Sequence, residues 1–406
     1  MSESADTPCI LTINGGSSSL KFAVFNLSQP LIRMAAGRIE RIGLPDAVMT
    51  VTDVKTGREE RRTVSAADHR ACLAPLLDEL ERKGNFARLR GVGHRVVHGG
   101  SRYSRPQQIT PEVLAELRRL GPYDPEHLPT EIGLIEAFMD RHPHLTQVAC
   151  FDTAFHRDLP VVARLLPIPR RLAAAGIHRY GFHGLSCAYL MKELARIGRP
   201  DEANGRVILA HLGNGASLTA VRRGRSLDTT MGFTPTGGLP MSTRSGDLDP
   251  GLVAYLARNE GMTVEQFHEM VNTRSGLLGV SELSPDVRDL LAKERTDSRA
   301  AEAIALFCYQ AKKGIGALTA TLGGLDTLVF AGGIGENAPT IRARICEGLD
   351  CLGIVLEDAR NEAAASVISK EGSRVIVRVI RTDEESEIAQ SVHDLLVTAK
   401  ETVRTL

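Results

Sequence analysis

The sequence feature that most constrains the fold is an internal repeat. Residues 10–24 (ILTINGGSSSLKFAV) resemble residues 207–221 (VILAHLGNGASLTAV), and a shift of 198 positions superimposes five identical residues. Each segment is typical of a strand, a glycine-rich turn and a second strand. The shift is close to half of the 406 residues. The chain is therefore predicted to contain two related halves that arose by duplication.

Strands and helices alternate in both halves, which indicates an α/β fold class. Apolar periodicity, proline starts and glycine stops predict the clearest helices. These helices span about 67–83, 111–121, 130–143, 298–322, 339–349 and 384 to the C-terminus. We expect an N-terminal domain over 1–152, on which a C-terminal helix of about 384–406 packs, and a second domain over 153–383. The gap between such domains is predicted to be a ligand-binding cleft.

Composition excludes several classes of function. Lys plus Arg and Asp plus Glu are equal at 49 each, aromatic residues make up 4% and Trp is absent, which disfavours nucleic-acid binding. No apolar run approaches the length of a membrane-spanning helix, and the first residues do not resemble a signal peptide. Seven cysteines without a CxxC pair argue against a disulfide scaffold or a structural zinc site. A cytoplasmic protein is the expectation.

Two glycine-rich turns are candidates for phosphate binding. The first, NGGSSSLK (14–21), offers backbone N–H groups and the hydroxyls of Ser17 and Ser19, with Lys21 nearby. The second, HLGNGAS (211–217), lies at the position related to it by the repeat. Either segment alone is equally consistent with an ordinary hairpin turn. The pair, at repeat-related positions, favours phosphate binding, with a weaker third candidate at GGIGEN (332–337).

Several charged residues accompany these turns. Arg95 and Arg244 lie in Gly- or Ser-rich segments and are candidates to bind a carboxylate or phosphate, against the alternative of surface salt bridges. Asp152 ends a buried strand and Glu384 begins the last helix, so either is a candidate Mg²⁺ ligand. For Glu384, a charge that stabilises the helix N-terminus is the competing interpretation. A single histidine such as His183 is more often structural than catalytic.

Together these motifs resemble the acetokinase family, within the acetate and sugar kinase/Hsp70/actin superfamily. The resemblance runs almost from end to end. Nine motifs carry it, in this order: NGGSSSLKF, GHRVVHGG, ACFDTAFH, RYGFHGLS, HLGNGAS, MGFTPTGGLPMSTRSGDLDP, SGLLGVSELSPDVRDL, GGIGEN and TDEE. It implies two duplicated actin-like (ribonuclease H-like) domains, usually in a homodimer. It also implies reversible, direct in-line transfer of the ATP γ-phosphoryl group to a short carboxylate, foremost acetate, giving an acyl phosphate and ADP.

The resemblance also implies roles for individual residues. Asp152, His183 and Arg244 match catalytic positions. Arg95, Val97, Phe182 and Pro235 match the carboxylate and acyl-chain site. Asn14 and Glu384 match positions associated with Mg²⁺, for which Mn²⁺ is an alternative. The matched nucleotide contacts are Ser17, Ser19, Lys21, His211, Leu212, Gly213, Asn214, Gly215, Asp286, Val287, Arg288, Gly333, Ile334, Gly335, Glu336 and Asn337.

The chain departs from the family at residues 121–129. The family has a Leu-His-Asn-Pro run, whereas this chain has GPYDPEHLP. An ungapped alignment places Tyr123 and Asp124 at the Leu and His positions, and His127 substitutes only if the loop shifts. An Asp at that position repels phosphate unless it is paired or points away. Smaller departures are Asp383 in TDEE and the TGGL segment at 236–239.

Three other functions remain open at this stage. A propionate kinase shares nearly all the motifs, because one methylene in an apolar pocket changes binding by only about 1–3 kcal/mol. A nucleotide-dependent switch of the actin or Hsp70 type is disfavoured by Arg95 and the acyl-pocket residues. A relative that has lost catalysis through the 121–129 change is disfavoured by retention of the other site residues. The expected partners are a small carboxylate and a nucleotide, not a nucleic acid or a membrane.

Overall fold

A computed structural model describes residues 7–16, 19–199 and 201–404, with side chains up to residue 398. Its contacts divide the chain into two compact units. The first unit runs to Ala154 and resumes at Asp383, and the second spans Phe155–Thr382. The chain therefore passes between the units twice.

The first unit is built on an eight-stranded sheet. Its strands are β1 (Cys9–Gly15), β2 (Ser19–Asn26), β3 (Ile32–Glu40), β4 (Val48–Asp53), β5 (Glu59–Thr63), β6 (Leu89–Val96), β7 (Gln107–Gln108) and β8 (Thr146–Phe151). They lie in the order β5-β4-β3-β2-β1-β6-β8-β7. The central strand β1 pairs antiparallel with β2 and parallel with β6, and β6 pairs parallel with β8.

Three helices of the first unit precede the second unit in sequence: α1 (Leu73–Arg82), α2 (Pro111–Leu120) and α3 (Leu128–Arg141). The apolar residues of α1 are spaced on one face, and they pack with residues of β1 and of α3 into one buried core. This core covers one face of the sheet because burial of apolar side chains is the main favourable contribution to folding.

The second unit contains a five-stranded sheet in the order β11-β10-β9-β12-β13. Its strands are β9 (Arg206–Leu212), β10 (Ala216–Arg222), β11 (Arg225–Thr229), β12 (Thr327–Ala331) and β13 (Ile376–Val379). The opening strand β9 pairs antiparallel with β10 and parallel with β12. The strand β1 has the same pairing pattern in the first unit. The shared pairing pattern agrees with the duplication expected from the repeat, and the two sheets are consistent with the two actin-like domains that the resemblance implies.

Helices surround the second sheet. They are α4 (Val161–Arg164), α5 (Arg170–Ala174), α6 (Gly184–Ile197), α7 (Gly251–Asn259), α8 (Val264–Thr273), α9 (Gly276–Ser281), α10 (Val287–Lys293), α11 (Ser298–Leu322), α12 (Gly332–Asn337), α13 (Pro339–Cys346) and α14 (Asp358–Glu362). Helix α6 buries Cys187, Leu190 and Leu194 in a core with β9. Helix α11 approaches β10 so closely that a Cβ on Gly314 would lie 2.5 Å from Leu218.

The last helix, α15 (Glu384–Arg404), belongs to the first unit. It packs on β6, where a Cβ on Gly93 would lie 2.3 Å from Ile388 and one on Gly91 would lie 2.9 Å from Val392. Only glycine permits this approach, because side-chain atoms cannot come that close without displacing the helix.

The predicted elements agree with the structure where a specific cap was read from the sequence. Helix α2 begins after Thr110, whose side chain accepts the backbone N–H of Val113, and α11 begins after Asp297 and ends at a left-handed Gly323. Helix α1 begins later than predicted, at Leu73, and α3 begins earlier, after His127. The GGIGEN segment was predicted as a turn and is the short helix α12.

In the part of the chain described above, no helix combines the length and the apolar character needed to cross a membrane. All seven cysteines are thiols, and six of them are buried.

Candidate active site

In the first unit, the Arg95 side chain is held between the ends of three strands. Its Nη2 donates to Oδ2 of Asp152 at 2.6 Å, and its Nε lies 3.2 Å from the same oxygen. Its Nη1 donates to the carbonyl oxygen of Gly15 at 3.1 Å. Arg95 lies on β6, Asp152 follows β8 and Gly15 ends β1, so the parallel strands bring these groups to one edge of the sheet.

Burial shifts the ionisation of this pair. Desolvation raises the pKa of Asp152 to about 6, although the charge of Arg95 opposes the shift, and the charge of Glu384 adds to it. For Arg95, burial lowers the pKa, but Asp152, Glu384 and Glu131 outweigh it, so the pKa of Arg95 is raised overall. Arg95 therefore remains a cation at any physiological pH.

Asn14 and Glu384 are brought together at the same edge. The Nδ2 of Asn14, on β1, donates to Oε2 of Glu384 at 2.9 Å and lies 3.4 Å from Oε1 of Glu385. Burial raises the pKa of Glu385, with a further contribution from the charge of Glu384. Lys21 pairs with Asn14 across the β1–β2 hairpin, is exposed, and its charge opposes that shift at Glu385.

These side chains suit a hard divalent cation. Carboxylate and amide oxygens are the ligands Mg²⁺ prefers, and it usually takes one or two carboxylates together with water and substrate phosphates. Within residues 7–16, 19–199 and 201–404, no group of three or more His, Cys, Asp or Glu side chains is arranged as a complete metal site. The donor set around Asn14 and Glu384 fits a metal shared with a substrate, because it offers one amide and one or two carboxylates.

The residues that replace the family's Leu-His-Asn-Pro run form a local hydrogen-bonded group. The Oδ1 of Asp124 accepts the backbone N–H of His127 at 3.0 Å and lies 2.9 Å from the Nδ1 of the same residue. His127 is close enough to Asp152 for its charge to lower the pKa of that carboxyl. Tyr123 packs edge-to-face on His98, with ring centroids 5.4 Å apart. Asp124 is thus buried and hydrogen-bonded to His127.

The sequence interpretation missed one buried residue of this group. Glu131, in the first turns of α3, accepts the backbone N–H of Val97 at 2.9 Å, and its other oxygen lies 3.7 Å from Nη1 of Arg95. Its side chain is only 3% exposed. In the sequence, Glu131 is marked only as a glutamate among the apolar positions of a predicted helix. This pattern by itself does not indicate a contact with Arg95.

In the second unit, His183 and Arg244 converge on Gly215. A Cβ on Gly215 would lie 2.9 Å from Nε2 of His183 and 3.6 Å from Nη1 of Arg244. The Nδ1 of His183 lies 2.9 Å from the Ser217 hydroxyl, which orients the ring. His183 has a left-handed backbone (φ 57°), rare for a residue other than glycine, and precedes α6. The structure thus brings both predicted transition-state groups to the second glycine turn.

The HLGNGAS turn is joined to its surroundings by further contacts. The His211 ring stacks on that of His183 with centroids 4.3 Å apart, and its Nδ1 lies 2.8 Å from the Ser186 hydroxyl. The carbonyl oxygen of Asn214 accepts the backbone N–H of Ser242 at 3.2 Å. Leu212 is buried, whereas Asn214 is exposed.

The turn at 211–215 and helix α12 lie at the same edge of the second sheet. Strands β9 and β12 are parallel, with Ala331 paired to His211. A Cβ on Gly213 would be 3.7 Å from the backbone nitrogen of Gly333, which is itself exposed. The Glu336 carboxylate accepts the backbone N–H groups of Gly332 and Thr382, each at 3.0 Å. Ile334 and Gly335 lie within α12. Asn337 is the last residue of this helix, and its side chain donates to the carbonyl oxygen of Gly333.

The remaining predicted residues have the following positions. Asp286 accepts the backbone N–H of Arg288 at the start of α10, and the two side chains form an exposed pair, whereas Val287 is buried. Phe182 is buried and its carbonyl accepts a hydrogen bond from the His156 ring, while the Pro235 carbonyl accepts from Arg244.

Val97 belongs to the first unit and Phe182 and Pro235 to the second, and Val97 is buried. Ser17 lies outside the described residues, whereas the carbonyl of Ser19 accepts the backbone N–H of Gly16 at 2.7 Å.

Comparison with known proteins yields one family. The profile of the Acetokinase family matches residues 9–390. An acetate kinase of Rhodopseudomonas palustris (strain TIE-1) is 44% identical, covering 94% of this chain and 97% of its own, and a propionate kinase of Citrobacter rodentium is 43% identical over 94% and 96%. The crystal structure of a propionate kinase from Francisella tularensis is similar, with a TM-score of 0.89 and 35% identity, over 95% of this chain and 98% of that one. The chain therefore belongs to the acetokinase family.

Proposed function

We propose that the protein is an acetate kinase, which transfers the γ-phosphoryl group of ATP to acetate and gives acetyl phosphate and ADP, reversibly. The observation that carries the proposal is the convergence of His183 and Arg244 on Gly215, in a chain 44% identical to an acetate kinase. Direct in-line transfer is the proposed mechanism, because the nucleophile needs no covalent help from the protein.

The chemistry requires positioning and positive charge and no strong base. A short carboxylic acid has a pKa near that of Glu, about 4.3, so acetate is already ionised at neutral pH. Arg95 binds its carboxylate, and Val97, Phe182 and Pro235 contact its methyl group. Arg244 and His183 stabilise the negative charge that spreads over the equatorial oxygens of the transferring group. Asp152 holds Arg95 in place through the two hydrogen bonds to its Oδ2 described above.

The nucleotide is assigned to the second unit. We assign the phosphates to the 211–215 turn and the adenosine to Gly333–Asn337 and to Asp286–Arg288, with Lys21, Ser17 and Ser19 as phosphate contacts from the first unit. Asn14 and Glu384 would hold Mg²⁺, or Mn²⁺ in its place, because their oxygens suit a hard cation. When bound, the metal neutralises phosphate charge.

Propionate kinase is the alternative acceptor specificity. The relative from Citrobacter rodentium, named a propionate kinase, is 43% identical, nearly as similar as the acetate kinase. Tyr123 is the departure that favours testing it, because a Tyr in place of the family's Leu changes the size and polarity of that position. A catalytically weakened relative gains no support, since Asp124 is paired with His127.

A coupled assay separates these possibilities. The purified protein is incubated with Mg-ATP and hydroxylamine, which traps acyl phosphate, and with acetate, propionate or butyrate in parallel. We expect the highest kcat/KM with acetate. Higher kcat/KM with propionate would replace the assignment by propionate kinase, and absence of product with every acid, despite measurable ATP binding, would refute the enzyme assignment.

We further propose a cytoplasmic homodimer. Seven cysteines without a CxxC pair favour a reducing compartment. Exposed apolar side chains on the helices of the second unit, including Tyr255, Val264 and Tyr309, provide surface that a second copy would bury. Light scattering coupled to size-exclusion chromatography is expected to give twice the chain mass; a monomer at micromolar concentration would contradict the dimer.

A further inference from the structure

A buried carboxyl group next to Arg95 has no role in the function proposed above. Glu131 lies in α3, and its Oε2 accepts the backbone N–H of Val97 at 2.9 Å. Its Oε1 lies 3.7 Å from Nη1 of Arg95 and accepts no hydrogen bond from the residues that the structure describes. One side chain therefore contacts both the guanidinium assigned to the substrate carboxylate and the backbone of the residue assigned to the acyl chain.

The charge balance around Arg95 favours a neutral side chain next to the guanidinium if an anionic substrate is to bind. Asp152 already supplies one negative charge to the guanidinium. A second carboxylate at Glu131 would make the group net negative and repel an anionic substrate. Burial raises the pKa of Glu131 to about 8, and the charge of Arg95 opposes this shift without cancelling it. Burial thus favours the protonated, neutral carboxyl, which leaves the charge balance of Arg95 unchanged.

The surroundings of Glu131 reinforce this placement. Its backbone N–H donates to the carbonyl of His127 at 3.0 Å, so it is fixed within the first turns of α3. Asp124 accepts the backbone N–H of His127, the residue that precedes α3. The helix is thus anchored at the end from which Glu131 reaches β6, and a change in Glu131 acts on Arg95 and Val97 directly.

We propose that Glu131 is a positioning residue for substrate binding, which holds the Val97 backbone by a hydrogen bond while its other oxygen packs beside the Arg95 guanidinium, and so fixes the spacing between the carboxylate and acyl-chain contacts. This inference rests on the proposed function. It concerns binding of the carboxylate and not transfer of the phosphoryl group, so it predicts a change in KM for the acid at nearly constant kcat.

Three variants test the inference in the hydroxamate assay with saturating Mg-ATP. Glu131→Gln keeps a neutral side chain whose carbonyl accepts the Val97 N–H, so we expect its acetate KM within about threefold of wild type. Glu131→Met leaves that N–H unpaired in a buried site, and we expect a KM raised about tenfold or more, with kcat within about threefold. Glu136→Gln, on the same helix but paired with Arg118 at the surface, is the control.

Each contrary result overturns the positioning role. An unchanged acetate KM in Glu131→Met refutes the positioning role of Glu131. A lower kcat at constant KM in that variant, for a protein that is fully folded by circular dichroism, shows that Glu131 acts on the transfer step and not on binding of the acid. A KM in Glu131→Gln raised as much as in Glu131→Met shows that the charge of Glu131 matters instead. If Glu131→Met does not fold, Glu131→Asp replaces it, because shortening the side chain by about 1.5 Å withdraws the carboxyl from both contacts. An unchanged KM in Glu131→Asp then refutes the proposal.

The measurement on wild type distinguishes failure of the proposed function from failure of the proposed role of Glu131. If wild type forms no acyl phosphate with any acid, the proposed function fails, and the role of Glu131 fails with it. If wild type is active and the Glu131 variants keep its KM, only the role of Glu131 fails.

Discussion

At the scale of single residues, Gly215 is a sensitive position in the second unit. A methyl group there would lie 2.9 Å from Nε2 of His183, a distance at which the imidazole has to move. We expect Gly215→Ala to lower kcat about a hundredfold, because displacement of a catalytic group by about 1 Å has effects of that size. Steady-state kinetics with acetate and ATP measures it.

The matched control for Gly215→Ala is Gly316→Ala in α11. A Cβ at Gly316 meets nothing within 4 Å, so kcat is expected to stay at the wild-type value. A kcat for Gly215→Ala within about threefold of wild type would show that His183 does not depend on this glycine for its position.

Glu131 also makes a prediction about stability against pH. Its folded-state pKa, about 8, lies above the ordinary value of 4.5. A raised pKa contributes stability that is complete below the unfolded value and is lost as the pH rises through the folded value. Between about pH 5 and 8, the unfolding free energy of wild type is therefore expected to fall relative to Glu131→Gln by roughly 1–3 kcal/mol. Urea unfolding at several pH values measures this difference. The prediction is contradicted if the unfolding free energies of wild type and Glu131→Gln change with pH in the same way.

At the residue scale, the sequence motifs identify candidate site residues, but they do not show which buried side chains contact one another. The motifs identified His183, Arg244 and Asn214, which the structure places around one turn of the second unit. An ungapped alignment treated Asp124 as a possible source of repulsion because it contained no information on the hydrogen bond to His127. Glu131 was missed for the same reason, since its contacts join residues far apart in sequence.

At the scale of elements, Arg342 supports the glycine-rich segment at α12. Its guanidinium is fully buried and donates to the carbonyls of Gly335, Glu336 and Asn361 and to the Asn361 side chain. We expect Arg342→Met to lower the unfolding free energy by about 3 kcal/mol or more, because several buried acceptors lose their donors. ADP binding is also expected to weaken, since the carbonyls of Gly335 and Glu336 belong to the segment assigned to adenosine. Urea unfolding and calorimetric titration measure the two effects.

Arg344→Gln is the matched control for this prediction. Arg344 lies on the same helix, α13, but pairs with Glu294 near the surface, so its loss is expected to change stability by about 1 kcal/mol or less. Equal destabilisation by both substitutions would indicate that the buried position of Arg342 has no special role.

Elements were predictable where a local signal defines them. Proline, aspartate and glycine at the ends of α2 and α11 gave their limits, because caps act over a few residues. The short helices α7 to α10 were not predicted, since their many exposed positions weaken the apolar periodicity. The strand β5 has no buried position, and its pairing with β4 is a tertiary effect.

At the scale of the whole molecule, each unit contains a buried histidine that favours the neutral form. Burial lowers the pKa of His94 in the first unit and of His156 in the second to about 4. A lowered pKa contributes stability above the ordinary value of 6.5, and this stability is lost as the pH falls towards 4. Each histidine is therefore expected to contribute up to about 3 kcal/mol to acid destabilisation.

The measurement is urea unfolding at about pH 7, 6 and 5 for wild type, His94→Gln and His156→Gln. Each variant is expected to lose less stability than wild type as the pH falls. His144→Gln, at an exposed position, is the control and should follow the wild-type curve. A wild-type pH dependence in both buried variants would exclude these residues as the acid-sensitive groups.

At the scale of the whole molecule, the main prediction from the sequence came from the internal repeat. It indicated two related halves, and β1 and β9 indeed share a pattern of antiparallel and parallel neighbours. The additional strands β4, β5 and β7 of the first sheet and the number of helices in the second unit have no counterpart in that repeat. They depend on packing between distant segments, which a repeat of fifteen residues does not encode.

The return of α15 to the first unit has a consequence for the order of synthesis. The glycines of β6 that α15 covers leave the ribosome early, but Ile388 and Val392 follow only after the entire second unit. The second unit, which is continuous in sequence, is therefore able to complete its fold first. The first unit waits with part of its sheet uncovered, so a ribosome that stalls within the second unit leaves behind a half-finished first unit with an exposed apolar face, the kind of surface that chaperones bind.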